Sequence, residues 1–369
     1  MTILLPSRLA SKSSWLWYLG YVCAILVVTI IFSRCRRQPA RNSSSQDIIV
    51  AAKKGDTEAQ CELAMRYFEG RGMSKDNLEA AKWFRQAANQ GEATSEAYLG
   101  ILYCRGQGVP EDAVAGLKWI QRSAEQGDPL GEYFLACAYF NGQVVQKDAT
   151  EAVKWCRKAA ERKLPAAEML LGHFYREGLG VPKDQGEGIK WYRRAADHGL
   201  AEAQLILGWI YFRGDGTAKN AREAVKWYTK AADQGDVNAQ ENLALMYSKG
   251  DNIPQDFAQA AKWHVKAASQ GDPKAQTAIG IMYAAGQGFD RDVAQAAKWY
   301  EKAADQGFAE AQVRLGKLYE DGNGVPQDKS KAVALYKKAA AQGNSKAQLL
   351  LNHINSQSDV VPPLLDSKL

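Results

Sequence analysis

Four histidines and six cysteines are scattered over the 369 residues, and none of them stands at a metal-ligand or redox spacing. Cys23, Cys35, Cys61, Cys104, Cys137 and Cys156 include no C-x-x-C pair. Their scatter excludes a zinc module and a disulfide-stapled scaffold, and points to free thiols in a reducing compartment. Equally absent are a G-x-S-x-G elbow, a phosphate loop, H-E-x-x-H and a Cys-His constellation. The chain is therefore read as no enzyme, with no catalytic residue, no cofactor and no bound metal. Acid is missing from residues 1 to 41, where Arg8, Lys12, Arg34, Arg36, Arg37 and Arg41 stand uncompensated. The net charge of +6 sits entirely there, because the remainder holds 41 basic and 41 acidic residues. A balanced remainder lacks the footprint of a phosphate-backbone binder, which excludes nucleic acid as a partner.

Charge of either sign is missing from WLWYLGYVCAILVVTIIF, the eighteen residues Trp15 to Phe32. As a helix they span about 27 Å, enough to cross a bilayer. Trp15, Trp17, Tyr18 and Tyr21 crowd one end, as aromatics do at a membrane interface. The alternative is a cleaved signal peptide, but no A-x-A-like site ends the run, so an uncleaved anchor is expected. Residues 1–14 form its flank, 15–32 the transmembrane anchor, and 33–46 an Arg- and Ser-rich linker. Four arginines follow the span and two basic residues precede it, which places the C-terminal part in the cytoplasm; a periplasmic or lumenal side is the alternative. The chain ends Ser367-Lys368-Leu369, a peroxisomal address only in a eukaryote.

What is present is a repeat. Glycine recurs every 36 residues from Gly55 to Gly343, with Lys163 as the one exception. Tyrosine keeps that period from Tyr67 to Tyr319, and tryptophan from Trp83 to Trp299, yielding to Leu335 in the eighth unit. In residues 201–236, Ala203, Leu207, Ile210 and Tyr211 mark one face of a first helix. Gly214 and Gly216 break it. Asn220 then stands where the other units place Asp76, Asp112, Asp148, Asp184, Asp256, Asp292 and Asp328, all expected N-caps; Glu or Gln three residues later suggests a capping box. A second helix follows with Ala224, Trp227, Tyr228, Ala231 and Ala232. One helix pair cannot bury its own apolar face, so the eight units must stack. Ala51 and Ala52 before the first unit, and Ala347 and Leu351 after the last, supply closing half-repeats within a solenoid of residues 47–355; residues 356–369 form a disordered tail.

The pattern stands clearly in Ala167, Leu171, Gly172, Tyr175, Gly178, Gly180, Val181 and Asp184, then Lys190, Trp191, Tyr192, Ala195, Ala196 and Gly199. It resembles the Sel1-like repeat, a longer relative of the tetratricopeptide repeat, over about residues 47 to 355. The resemblance implies an all-α, right-handed α-solenoid of tandem helix-turn-helix repeats, here behind an N-terminal transmembrane helix, and an adaptor or scaffold role. Some proteins with this repeat have been described as β-lactamases, but Ser330-Lys331-Ala332-Val333 lacks the second lysine of S-x-x-K.

The repeated residues read as core and turns, so function is expected where the units differ. On the first helix, one stripe lies opposite the core face and matches the groove lining of the related tetratricopeptide repeats. It carries Met65 and Phe68, then Ile101, then Tyr133, Cys137 and Phe140, then Met169, His173 and Arg176, then Leu205, Trp209 and Phe212. These twelve are expected to hold a partner peptide or helix, since apolar patches on an exposed face mark interaction sites. Tighter packing between adjacent first helices is the alternative. Later units turn mixed, with Glu241, Ser248, Lys317 and Glu320. A membrane-anchored scaffold is thus expected, with an exported envelope-binding repeat protein as the other reading.

Overall fold

The computed structural model describes residues 45–358 apart from 143. Among the described residues there are eighteen helices and no strand, in two compact units. The N-terminal unit, 45–220, holds α1 (Ser45–Lys53), α2 (Thr57–Glu69), α3 (Asn77–Asn89), α4 (Ala93–Arg105), α5 (Ala113–Glu125), α6 (Pro129–Asn141), α7 (Ala149–Glu161), α8 (Pro165–Glu177), α9 (Gln185–Asp197) and α10 (Ala201–Arg213). The C-terminal unit, from Ala221, holds α11 (Ala221–Asp233), α12 (Val237–Lys249), α13 (Phe257–Ser269), α14 (Pro273–Ala285), α15 (Val293–Asp305), α16 (Ala309–Asp321), α17 (Lys329–Ala341) and α18 (Ser345–Ser358). Even-numbered helices from α2 open a repeat and the odd-numbered ones close it.

The fourth repeat shows why the sequence folds this way. Helix α8 ends at Gly178, whose φ of 72° is left-handed and open to glycine without strain. Two residues on, a Cβ at Gly180 would lie 2.2 Å from the Ala149 carbonyl oxygen of the preceding repeat, so glycine there allows the joint to close. Asp184 caps α9 by accepting from the Glu187 N–H at 2.9 Å. Gly172 lets α9 approach until a Cβ would stand 3.1 Å from the Tyr192 ring. Ala195 and Ala196 are buried, as are their counterparts Ala159, Ala160, Ala231 and Ala232.

All seven aspartates expected as N-caps do cap their helices. The capping box is corrected. Each cap's own N–H donates to the repeat's tyrosine carbonyl, as Asp184 does to Tyr175 at 2.8 Å, which leaves nothing for the third helical residue to satisfy. That glutamate pairs forward instead, Glu187 with Lys190 at 2.9 Å and Glu151 with Lys154 at 2.5 Å. Three of these tyrosine hydroxyls, those of Tyr103, Tyr175 and Tyr211, accept from an arginine of the repeat before, Arg157 reaching Tyr175 at 2.6 Å. Where the glycine series fails, Lys163 adopts φ 61° itself, and Asn252 adopts φ 60° at the weakened turn of the sixth repeat.

The closing half-repeats are present. Ala52 of α1 is buried, and Ala347 and Leu351 of α18 are buried in their turn. Helix α1 starts at Ser45, inside the segment expected as linker, and α18 runs to Ser358, beyond the expected end of the array. Among the described residues no helix is long and apolar enough to cross a membrane. The anchor expected at 15–32 lies outside them, as do the flank before it and residues 359–369 of the tail.

Candidate protein-binding face

First helices α4, α6 and α10 of the N-terminal unit are apolar on nearly every side, while α2 and α8 keep a charged edge. Helix α4 carries Tyr98, Leu99, Ile101 and Leu102, and α6 carries Tyr133, Phe134, Leu135 and Cys137, all buried. A helix that is apolar all round is enclosed all round. This decides the fate of most of the expected stripe. Met65, Phe68, Ile101, Tyr133, Cys137, Phe140, Met169, His173 and Leu205 are all buried. Phe68 packs edge-on against Phe84 of α3 and lies 5.9 Å from Tyr98 of α4. Phe140 meets Phe174 of α8 at 5.2 Å. Lysines from the following loops lie over both, Lys75 Nζ 5.8 Å from the Phe68 ring and Lys147 Nζ 5.5 Å from the Phe140 ring. The face expected to be open is thus largely taken up by packing between neighbouring helices.

Three of the twelve remain half-buried: Arg176, Trp209 and Phe212. Arg176 and Trp209 are brought together at the end of the N-terminal unit, and Phe212 lies three residues beyond Trp209 on α10. The Arg176 guanidinium lies 5.2 Å from the Trp209 ring centroid and pairs with Asp215. This cation–π stack holds the indole in place with part of its surface in solvent. Beneath it, burial and then the Arg176 charge pull the His173 imidazole down to about 4, so it stays neutral at physiological pH. On the equivalent face of the C-terminal unit, Leu245 and Ile281 are half-buried and Lys317 is exposed. Glu241, enclosed there, has its carboxyl pushed up to about 8, first by burial and then by the neighbouring Asp272.

Sequence reasoning missed a second column, at the fourth residue of each first helix. Gln60, Gln204, Gln240 and Gln312 are buried and donate to the carbonyls of Ala52, Ala196, Ala232 and Ala304, at 2.9 to 3.3 Å. Each such bond ties a repeat to the one before. The second, third and fourth repeats instead place Glu96, Glu132 and Glu168 there, buried at 0 to 2% exposure. Arg122 pairs with Glu96 at 2.9 Å, Arg162 with Glu132 at 3.4 Å, and Arg194 with Glu168 at 3.2 Å. Gln126 also donates to Glu96 at 2.6 Å, and His198 Nδ1 lies 2.6 Å from Glu168. Burial raises the carboxyls of Glu96 and Glu132 above the ordinary range, with the arginines opposing. The signal was legible as a 36-residue glutamine period. No group of three or more His, Cys, Asp or Glu among the described residues is arranged to hold a metal ion.

The family model for the Sel1 repeat matches eight consecutive segments of 36 residues, from 57–92 to 309–344. The chain belongs to the Sel1 repeat family. Among solved structures, this Sel1 array is similar to a protective antigen present in uropathogenic Escherichia coli strains that displays the same repeat fold. The two share 35% identity over 86% of this chain and 68% of that one, with a TM-score of 0.71. It is also similar to a Sel1 repeat protein from Oxalobacter formigenes, at 33% identity over 88% of this chain and 93% of that one, with a TM-score of 0.57. No match was found among curated proteins. Sel1 repeat proteins are generally scaffolds for protein–protein interaction, and that role is the coarse function of the array.

Proposed function

We propose that this Sel1 array is a membrane-anchored, non-enzymatic scaffold that holds a partner peptide or helix at Arg176, Trp209 and Phe212. The observation that carries this reading is the incomplete burial of two large aromatic side chains beside half-buried Arg176, at one corner of a stripe whose other nine members are enclosed. Packing consumes the rest of the face, so these are the positions at which an outside side chain could complete the contact. Aromatic and arginine anchors dominate interfaces, and truncating one costs about 2 kcal/mol or more, about thirtyfold in affinity. His173, Met169 and Leu205 support the floor and would act through packing. The apolar run Trp15 to Phe32, followed by Arg34, Arg36 and Arg37, supports the anchor.

The test is crosslinking from intact membranes to recover the partner, followed by Trp209→Ala with Phe212→Ala. The double variant is expected to lose partner capture at least thirtyfold with nearly unchanged helicity and melting. Ile281→Ala, on the equivalent face of the C-terminal unit, is expected to keep it. Unfolding of the double variant would make these side chains core, and full capture by a folded double variant would move binding elsewhere. A second reading, an exported envelope-binding array, draws support from the antigen described for the similar E. coli protein. A reporter fused after Leu369 separates the two by the side of the membrane on which it is active.

A further inference from the structure

The charge balance of the repeat region conceals a segregation within the C-terminal unit. Its second helices α11, α13, α15 and α17 carry eleven cations against four acids, while its first helices α12, α14 and α16 carry four of each. Part of the difference arises at one position. Glu79, Glu151, Glu187 and Glu223 each precede a lysine by three residues and face it, at 2.5 to 3.5 Å from Nζ. In the last three repeats that position is Gln259, Gln295 and Lys331. Lys262 and Lys298 therefore lose their acid, and α17 adds Lys337 and Lys338. No carboxylate pairs with Lys262, Lys298, Lys302 or Lys338 among the described residues, and all four are exposed.

These lysines are also held in place. Lys262 and Lys266, like Lys298 and Lys302, are four residues apart and share one face of their helix. Lys266 Nζ stands 4.2 Å from the Trp263 ring centroid and pairs with Asp233 at 3.1 Å, while Lys302 Nζ stands 4.2 Å from that of Trp299 with no carboxylate partner among the described residues. The ammonium heads lie over the indole faces, and the cation–π contact holds them there. Helices α13, α15 and α17 are successive second helices, each joined to the next through a first helix packed on both, so the heads recur once per repeat as an array of point charges.

We infer that the lysine face of α13, α15 and α17 docks on anionic phospholipid headgroups. All eight cations on these three helices are lysine. Hydrated ammonium groups act as point charges without the planar fork by which arginine engages a single phosphate, and such charges respond to the diffuse field of an anionic lipid surface. The indoles beneath the lysines leave no open ring for a base to stack on. The inference rests on the anchor reading for its setting: a chain tethered to a bilayer through residues 15–32 meets that surface at high effective concentration, so weak attraction suffices.

The test uses the full chain with vesicles of phosphatidylcholine alone or with about one third phosphatidylserine, read by flotation and by acetylation footprinting of lysines. Flotation with both lipids, with Lys262, Lys298, Lys302 and Lys338 several-fold less reactive on the anionic vesicles and the protection removed by about 0.5 M salt, is the expected result. The variant with these four lysines changed to Gln should still float but protect none of the neighbouring lysines; changing the paired Lys82, Lys154 and Lys190 to Gln should alter nothing. Flotation with both lipids and no dependence of the footprint on lipid charge would overturn the docking face and leave the anchor standing. Flotation only with anionic vesicles, abolished in the four-lysine variant, would support the face and refute the anchor. Flotation with neither would refute both. Protection by single-stranded RNA and not by anionic vesicles would reassign the face to nucleic acid and overturn the proposal.

Discussion

In the N-terminal unit, the sixth residue of the first helix is Tyr98, Phe134, Leu170 and Ile206 in repeats two to five, all buried. In the C-terminal unit it is Asn242, Ala278 and Arg314, and only Asn242 is buried. The ninth residue follows suit in repeats two to four, where Ile101, Cys137 and His173 are all buried, against half-buried Trp209, Leu245 and Ile281 in repeats five to seven and exposed Lys317 in the eighth. One repeat frame, with the same caps and glycine turns, thus carries two kinds of first helix. The lesson is that turn chemistry and the alanine-lined joints fix the pair of helices, while the outward face is free to be sealed or left polar. A sealed face gives up surface for packing, which is why so little of the expected stripe stays open.

The largest expected effect tests this contrast at one repeat position. Ile101→Ala removes a side chain that is 3% exposed and should cost about 2–5 kcal/mol through lost transfer and a residual cavity. Lys317→Ala, at the same position in the eighth repeat, should change stability by no more than about 0.5 kcal/mol. Urea unfolding read by tryptophan fluorescence measures both. Equal costs at the two sites would mean that the faces do not differ in packing as their burial indicates.

Much of this was legible in the sequence, because the signals that set the frame are local and recur. Asp184 as a cap, Gly178 as a left-handed stop and Ala195 at a close joint each follow from one residue's own preferences. The stripe was legible as a row of residues but not as a surface. Whether Phe68 or Phe140 is open depends on Phe84, Tyr98 and Phe174, which arrive from other helices. The capping box failed for a similar reason, since the Asp184 N–H had a partner in the Tyr175 carbonyl that no spacing rule along one helix could supply. The glutamine column was overlooked because glutamine is expected outside, and here its bond to the preceding repeat is what makes its burial favourable.

That column gives the next test. Glu96 fills a glutamine position and cannot, when ionised, donate to the Ala88 carbonyl as the glutamines donate to theirs. Gln126 already donates to it, so Glu96→Gln restores the arrangement of the other repeats and removes a buried charge, at the loss of an ion pair whose arginine is 55% exposed. A gain of about 1 kcal/mol at pH 7 is expected. The sign with pH follows from the raised carboxyl: the folded state binds the proton more tightly, so the wild type is most stabilised below the unfolded value and loses that contribution as pH rises through the folded one. The variant should therefore gain less on acidification than the wild type. Gln240→Glu in the C-terminal unit should cost about 1–3 kcal/mol, since it buries a carboxylate and abandons the Ala232 carbonyl. A destabilised Glu96→Gln would mean that the Arg122 pair outweighs the missing donor.

The smallest expected effect concerns the turn that joins one repeat to the next. Lys163 holds φ 61° where seven other repeats have glycine, and nothing in the structure explains the lysine. A non-glycine residue in the left-handed region carries about 1–2 kcal/mol of steric strain, against which glycine loses about 0.5–1 kcal/mol in the entropy of the unfolded chain. Lys163→Gly should thus stabilise the N-terminal unit by about 0.5 kcal/mol. The reverse change in the C-terminal unit is Gly235→Lys at φ 95°, where a Cβ would meet nothing within 4 Å, so the backbone term acts alone and should cost about 1 kcal/mol. Amide hydrogen exchange across Ala160–Leu164 and Ala232–Asp236 resolves effects of this size joint by joint. Slower exchange after Lys163→Gly and faster exchange after Gly235→Lys would show that both units obey one turn rule. If Lys163→Gly instead loosened its joint, the lysine would be contributing a contact that outweighs its strain, and the third repeat would differ from the rest in kind.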